Sequence, residues 1–494
     1  MQLGKVIVSI ALSSLILTLI FGTIAFGEGI DLKSQLAELE QQGQFTAAKQ
    51  VVQDEIAKGT LSDAEKKELL WEIERLNRIQ KDYSLTRVDL LAALKTRIAN
   101  FSPEEFTNWE QEKKFDSKVI DGKTYYFGAS VSNLIWRYPE IAVREIGPTT
   151  DKYDKSVWKE YQKIRKEAEE HPFDRYIYPK TYKVKMTIST ESTAIPAGKI
   201  VKCWMPYPTN RPQQQELHFL KSSPVPKWIG EPDQDMRAIY FEQVAEKDKP
   251  VVFELEYKFK VYSVYSRIDP NKVVPYPQGN PAIDKYLEEQ PPHVMFIPEF
   301  DQISKEIIGN ETNPYLKAKK IYDWIGNNIK YSYAHEYCTI RNISKTTFMR
   351  RYGDCGEEAM LFITLCRMNG IPARWQTSWT MYPVRESSGM HDWAEIYLAP
   401  YGWVPVDPHR SIHFTRYAKG LTDDQKKELH DFYFGNMDPF RLVANKDHGI
   451  PLFPPKNAVR SDTVDFQRGE LEYDDVNLYY GQFSYKMDIR PILW

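Results

Sequence analysis

The spacing of apolar positions changes character along the chain. Near the start it is helical: Leu32, Leu36 and Leu39 recur at i, i+4, i+7, as do Leu69, Ile73 and Leu76, and then Leu90, Leu94 and Ile98. Ser62 with Glu65, and Ser102-Pro103 with Glu105, are capping boxes that mark two helix starts. Val119 to Phe127 reads as a hairpin turning at Asp121-Gly122. Residues 28–145 are therefore expected to be a helical region, with no self-similar period to make it a repeat array. The charged stretch from Lys159 to Glu170, ending at His171-Pro172, reads as a boundary.

From Tyr182 to Ser189, Lys199 to Met205 and Val251 to Val261 the pattern is that of strands, separated by Pro, Gly and Asn clusters. An antiparallel β-sandwich over 175–268 accounts for them, with Pro-rich loops from Asp269 to Pro298. Helical spacing then returns. Asn313-Pro314 is a cap followed by a first-turn proline, and Ala318, Ile321, Ile325 and Ile329 form one face. A second helix begins near Cys355 and closes at Gly370; strands 391–398 and 403–406 follow, joined by Pro400-Tyr401-Gly402. These elements define a unit over 285–437. A β-rich extension is expected over 438–494, with Leu478 to Tyr485 as a strand-like piece.

Lys5 precedes an apolar run from Val6 to Phe26, and Ala25-Phe26-Gly27 supplies small residues before Glu28. That is the pattern of a signal peptide over 1–27, which makes the protein secreted, periplasmic or cell-surface. The run approaches the ~20 residues that span a bilayer, so an uncleaved N-terminal membrane anchor is the alternative. With 494 residues and a net charge of −3, the chain holds several domains and shows no basic footprint for nucleic acid. Export bears on the four cysteines, Cys203, Cys338, Cys355 and Cys366. Their spacing is not a disulfide framework, and a nucleophile among them leaves at most one bridge, Cys203 with Cys338.

Chemistry concentrates between Gly353 and Asp407. In Gly353-Asp354-Cys355-Gly356-Glu357-Glu358-Ala359 the glycines allow a tight turn into an apolar helix, placing Cys355 at its N-terminus. Free N–H groups and the positive dipole end there favour thiolate and can hold an oxyanion. Cys366, among Leu365 and Met368, reads as a core residue. As a strand, 391–398 puts His391, Trp393 and Tyr397 on one face and Ala394, Ile396 and Leu398 on the core face. If the returning strand pairs odd with odd, His391 and Asp407 are direct or diagonal neighbours, an imidazole oriented by a carboxylate. Alone, the pair reads equally well as a surface ion pair.

The order Cys, His, Asp is a complete nucleophile, base and orienter set. Gly353-Asp354-Cys355, Gly370-Ile371-Pro372-Ala373-Arg374, His391-Asp392-Trp393-Ala394-Glu395 and Gly402-Trp403-Val404-Pro405-Val406-Asp407-Pro408 resemble successive blocks of the transglutaminase-like superfamily. Lys317 to Trp324 resembles the helix that precedes the nucleophile there, so the resemblance covers about Pro298 to Arg410. It implies an α+β multidomain protein with a papain-like core, in which Cys355 is the nucleophile, His391 the general base and acid, and Asp407 the orienting residue. Residues 182–265 resemble the sandwich placed ahead of such cores in bacterial secreted members. Asp465-Phe466-Gln467-Arg468-Gly469-Glu470 is also similar to such proteins, with no role attached. The tryptophan that animal transglutaminases use as oxyanion donor has no match; Tyr337 and Trp375 are the candidates here.

The expected reaction is attack of Cys355 on a protein or peptide amide, giving a thioester resolved by water or an amine. Hydrolysis is favoured over acyl transfer, and a glycan-bearing substrate fits as well. The alternative is a non-catalytic binding or envelope-assembly protein that keeps the fold. Trp379, Trp393 and Trp403 line a substrate groove or pack the core. No cofactor and no metal are expected: His335 with Cys338, and His409 with His413, have ligand-like spacing but no four-ligand frame. No acidic loop has the calcium-binding pattern. Asn310-Glu311-Thr312 and Asn342-Ile343-Ser344 match glycosylation sequons.

Overall fold

Side-chain caps set the helix starts of the N-terminal region. In the computed structural model, which describes residues 31–147, 151–381, 388–479 and 481–492, Ser62 opens the helix Asp63–Asp82 and Ser102 opens Pro103–Gln111. Both capping boxes are complete, with Glu65 and Glu105 bonded back to the cap backbone. The segment expected as a signal peptide, 1–27, lies outside the described residues. Two apolar clusters hold this region together. Leu36, Leu39, Phe45, Leu76 and Ile79 form one, and Leu90, Leu94, Phe106 and Leu134 form the other. The hairpin Ser117–Ile120 with Lys123–Tyr126 turns at Asp121 and Gly122, both at positive φ, as a two-residue turn requires.

The expected boundary at 159–170 is instead part of the 20-residue helix Asp151–Glu170. Its charges face outward, while Val157, Tyr161, Ile164 and Ala168 pack against Phe432 and Tyr433. Asp154 is fully buried and binds His413 at 2.6 Å. The sparse apolar stripe was masked by the charges around it.

The sandwich draws on both halves of the chain. One sheet runs Phe483–Pro491, Tyr176–Thr190, Val252–Val264, Gln214–Ser223; the other runs Val476–Leu478, Glu470–Tyr473, Ile200–Pro206, Ala238–Val244, Trp228–Ile229. Val184, Met186 and Phe253 from the first meet Cys203, Met205 and Phe241 from the second in one core. Residues past 438 thus supply strands to sheets begun some 270 positions earlier (Lys202 lies opposite Glu472). Within 478–485, Leu478 ends one strand and Phe483 begins another in the opposite sheet, with Gln482 N–H bonded to the Tyr479 carbonyl at 2.8 Å between them.

Between 298 and 445 lies a helical layer on a four-stranded antiparallel sheet. Asn313 caps α1 (Pro314–Asn328) through its side-chain oxygen. In α2 (Cys355–Met368) every residue from Gly356 to Arg367 is buried, so this helix is the centre of the core. The sheet order is β3 (Gly402–Val406), β2 (Ser388–Leu398), β1 (Ala373–Met381), β4 (Arg441–Asn445). Sequence spacing reveals β2 and β3 but not β1 or β4. Both of those are buried on both faces, down to Gln376, Thr377 and Ser378, so neither alternates. Trp379, Met381, Leu442 and Ala444 extend into the sandwich core, whereas Ala373 and Trp375 pack under α2.

A buried ion triad rivets sandwich to sheet. Glu395 on β2 receives Arg211, from the loop after Ile200–Pro206, at 2.6 Å and Arg374 on β1 at 2.6 Å. Burial alone would raise the Glu395 carboxyl, but the two guanidiniums outweigh it and hold it at about 2. Glu395→Ala strands two arginines, so urea denaturation should show a loss of about 3–5 kcal/mol. The folded pKa is depressed, so this contribution is complete above the ordinary carboxylate value and fades as pH falls toward 2. The stability gap between wild type and variant should narrow over that same acid range.

Candidate active site

Asp354 caps α2, accepting the Glu357 amide at 3.1 Å while the Glu357 carboxyl returns to the Asp354 N–H at 3.2 Å. This box fixes Cys355 as the first helical residue. All four cysteines are free; Cys203 and Cys366 are buried, and Cys355 is partly exposed. Cys203 lies in the sandwich, whereas Cys338 takes a bond from Arg78 at 3.2 Å, so the Cys203–Cys338 bridge does not form. The Cys355 thiol donates to Asp392 Oδ2 at 3.7 Å, and the Asp392 backbone N–H donates to the sulfur. Tyr337 donates to Asp354 at 2.6 Å and approaches Asp392 at 3.4 Å. Gly356 makes room for this, since a Cβ there would collide with the Tyr337 hydroxyl.

One residue before Asp392, His391 Nε2 meets Asp407 Oδ2 at 2.8 Å. The β2–β3 register pairs Ala394 with Val406 and Tyr397 with Trp403, so Asp407 stands diagonally across from His391. Both are buried rather than on an exposed hairpin. Arg441 on β4 reaches the same Asp407 oxygen at 2.9 Å and Arg410 lies at 3.9 Å. Asp407 also caps the short helix Pro408–Ile412, accepting the Arg410 amide at 3.2 Å. Trp393 stacks on His391 at 5.9 Å between ring centroids. A second route joins His391 to α2: its ring is 5.6 Å from that of His409, whose Nδ1 is 3.2 Å from Glu358, one turn after Cys355.

The electrostatics reverse one expectation. Burial pushes the Cys355 thiol well above its ordinary value, and Asp392, Asp354 and Glu358 add to the rise. A helix N-terminus contributes about 0.3–2 kcal/mol toward an anion, too little against desolvation amid three carboxyl groups. The acids share the cost. Burial raises Asp392 to about 8, Asp354 to about 6 and Glu357 to about 8. Burial lowers His391 despite Asp407 beside it. Asp407 is pulled far below the carboxylate range because His391 and Arg441 overcome its burial. At neutral pH the resting site is thus a thiol, a neutral imidazole and a fixed carboxylate.

Of the other residues singled out in the sequence, Tyr337 touches Asp354 and Asp392, and Trp393 and His409 lie against His391. Trp375 is fully buried under α2 with its Nε1 unpaired, near His448. Trp379 donates to the Gln467 carbonyl inside the sandwich interface, and Trp403 lies under Arg374 at 4.0 Å. With Trp393 on His391, these tryptophans pack rather than line a groove. His335 stacks on Tyr83, and among the described residues no cluster of three or more His, Cys, Asp or Glu side chains is arranged to hold a metal. Asp392, Glu358 and Gln467 join the site unannounced, and His409, singled out for its ligand-like spacing with His413, instead lies beside His391. Only the partner each would meet identifies them, and those partners are 37 to 75 residues away.

The layout is that of a mixed helix-and-strand protein, with a thiol at the end of a central helix packed on an antiparallel sheet. Residues 301–408 match the model of the transglutaminase-like superfamily, and the chain carries a transglutaminase-like core domain. An uncharacterized protein of Haemophilus influenzae is 24% identical over 314 residues, covering 56% of this chain and 82% of that one. Among solved structures, a candidate cysteine protease from Cytophaga hutchinsonii is similar, at 16% identity and a TM-score of 0.40, over 64% of this chain and 91% of that one. The periplasmic domain of TgpA from Pseudomonas aeruginosa is similar at 14% identity and a TM-score of 0.26, over 51% and 93%. Among the described residues no helix is long and apolar enough to cross a membrane.

The raised thiol value makes alkylation of Cys355 by iodoacetamide slow at neutral pH and faster as pH rises. Asp392→Asn removes a carboxyl that opposes the thiolate, so the rise should begin at lower pH. The gain should appear above about pH 8, where Asp392 is ionised in the wild type, and vanish at neutral pH, where its carboxyl is already protonated. Peptide mass spectrometry reads this directly, with Cys203 and Cys366 unmodified in the folded protein.

Proposed function

We propose that the protein is an exported cysteine hydrolase that cleaves protein or peptide amides through a thioester on Cys355. The observation that carries this reading is the His391–Asp407 pair, placed on the strand whose next residue contacts the Cys355 sulfur. Asp407 holds the imidazole through Nε2, which leaves Nδ1 to take the thiol proton.

In this scheme neutral His391 removes the proton as the sulfur attacks the carbonyl carbon, so a preformed ion pair is not needed. The developing oxyanion is met by the backbone N–H of Cys355 at the first helical position. The imidazolium, stabilised by Asp407, protonates the departing amine as the C–N bond breaks. Water, deprotonated by His391, then attacks the thioester and releases the acid and the thiol. An amine in place of water would give acyl transfer; water is favoured by its abundance outside the cell. Export rests on the segment from Lys5 to Gly27.

Incubation with a library of glutamine-bearing and glycan-bearing peptides, read by mass spectrometry, names the reaction. Backbone cleavage is the expected result; deamidation, cross-linking or glycan loss would replace it with a sister reaction. Cys355→Ala should abolish turnover, and His391→Ala should lower kcat by about 10²–10⁴-fold. No turnover of any peptide, with Cys355 no more reactive than a free thiol under any condition, would overturn the reading. Asp407→Asn removes the charge that holds the imidazolium, so kcat should fall; it also takes a buried partner from Arg441 and Arg410, so urea unfolding should show a loss of stability alongside. Cell fractionation should place the protein outside the cytoplasm.

A further inference from the structure

The segment Asp465-Phe466-Gln467-Arg468-Gly469-Glu470 has no part in the proposed chemistry, yet the chain goes to unusual lengths to place it. Phe466, a fully buried bulky residue, sits at φ 45°, where side chains are strained. Gly469, at φ 84°, passes so close to the sandwich that a Cβ would lie 2.8 Å from the Trp204 carbonyl. Between them Gln467 is almost fully buried and points into the nucleophile site. Its Nε2 donates to Asp392 Oδ1 at 2.7 Å and Thr377 Oγ1 at 2.7 Å, and lies 3.3 Å from the His391 carbonyl. Its own backbone carbonyl is held by Trp379 at 3.0 Å. The next residue, Arg468, pairs with Glu336 at 3.0 Å, beside Tyr337.

We infer that Gln467 is a positioning residue of the Cys355 site, acting through Asp392. The Asp392 carboxyl is gripped on Oδ1 by the Gln467 amide, while its Oδ2 takes the thiol and faces the Tyr337 hydroxyl. The Gln467 amide, together with the Thr377 hydroxyl it also bonds, therefore sets where that carboxyl stands under the sulfur and how readily it ionises. It also braces β2 at the His391 peptide. The groups that share this field are Asp354 and Glu358 at the start of α2, Tyr331 and Tyr337 from the loop before it, and Asp462, Asp465 and Arg468 from the C-terminal segment. Deleting the amide donor keeps Asp392 protonated to higher pH, which favours the thiolate. Replacing it with a carboxyl adds negative charge, which disfavours the thiolate. The two changes push the sulfur in opposite directions, which loss of packing would not do.

This inference rests on the reading of Cys355 as a nucleophile, and its test is independent of any substrate. Gln467→Met and Gln467→Glu, made in the full chain, are compared with wild type and with Asn477→Ala. Asn477 is a buried C-terminal residue bonded to Glu74 and the Val459 carbonyl, away from the thiol. Urea unfolding checks that each variant is folded, and iodoacetamide labelling of Cys355 is followed against pH. The expected result is a labelling midpoint moved down in Gln467→Met and up in Gln467→Glu, by about half a pH unit or more each, with Asn477→Ala unmoved. Should one variant fail to fold, the other decides by the direction in which its midpoint moves. Unmoved midpoints, movement in the same direction, or an equal change in Asn477→Ala would overturn the inference. Opposite movements in a protein that turns over no peptide keep Gln467 in its role and remove the hydrolase. Turnover with unmoved midpoints does the reverse.

Discussion

Asp407 is the charge around which the core closes. It has no exposed surface and it is met by His391, Arg441 and Arg410, which come from β2, β4 and the short helix it caps itself. A buried ion of this kind is tolerated only when its partners satisfy it, and a partner left behind is costly. The pairing therefore ties three separately encoded segments to one point. The imidazole orientation on which any acid–base chemistry depends follows from a structural necessity. Glu395 repeats the device one layer away, where Arg211 and Arg374 join sandwich to sheet. Together the two carboxylates pin both ends of the motif strand β2.

The thiol lives under the opposite regime. Around Asp407 the cations win; around Cys355 there is no cation among the leading influences, and burial leaves Asp392 and Glu357 neutral into the physiological range. A site that rests as thiol and neutral imidazole forms its charges only as bonds change. It is also less open to oxidants and to disulfide exchange, both of which require the thiolate. For a protein whose remaining cysteines are free as well, that restraint shields Cys355.

What could be read in advance divides along physical lines. Local chemistry declares its own elements: α1 by the spacing of Ala318, Ile321 and Ile325, the capped helices by Ser62 and Ser102, and β2 and β3 by alternation of residue type, although β2 is buried on both faces from His391 to Ile396. The order of Cys355, His391 and Asp407 is legible for another reason: Gly353 and Gly356 with an apolar run mark the helix start at Cys355, and the strand patterns around His391 and before Asp407 place the other two. β1 and β4 carry no such alternation of residue type: β1 runs Gln376-Thr377-Ser378 and β4 Leu442-Val443-Ala444, buried on both faces. The helix Asp151–Glu170 is hidden by its outward charges, and 478–485 reads as one strand because it starts in one and ends in another. The expectation of a ready thiolate failed differently. It counted the helix end, which is local in sequence, and missed Asp392 and Glu358, whose effect depends on the packing of β2 against α2. Gln467 lies beyond any local rule, since its meaning comes from a strand 75 residues earlier.

The closing strands carry a further consequence. Glu470–Tyr473 and Phe483–Pro491 are laid against strands made near the beginning of the sandwich, and Arg441–Asn445 completes the core sheet. A chain emerging from the ribosome or a translocation pore holds its cysteine, histidine and aspartate long before these pieces arrive. Until then the sheets have open edges and Asp407 lacks Arg441. Completion of the Asp407 cluster is thus timed by the synthesis of the later strands, so that His391 gains its full setting only once Arg441–Asn445 is in place.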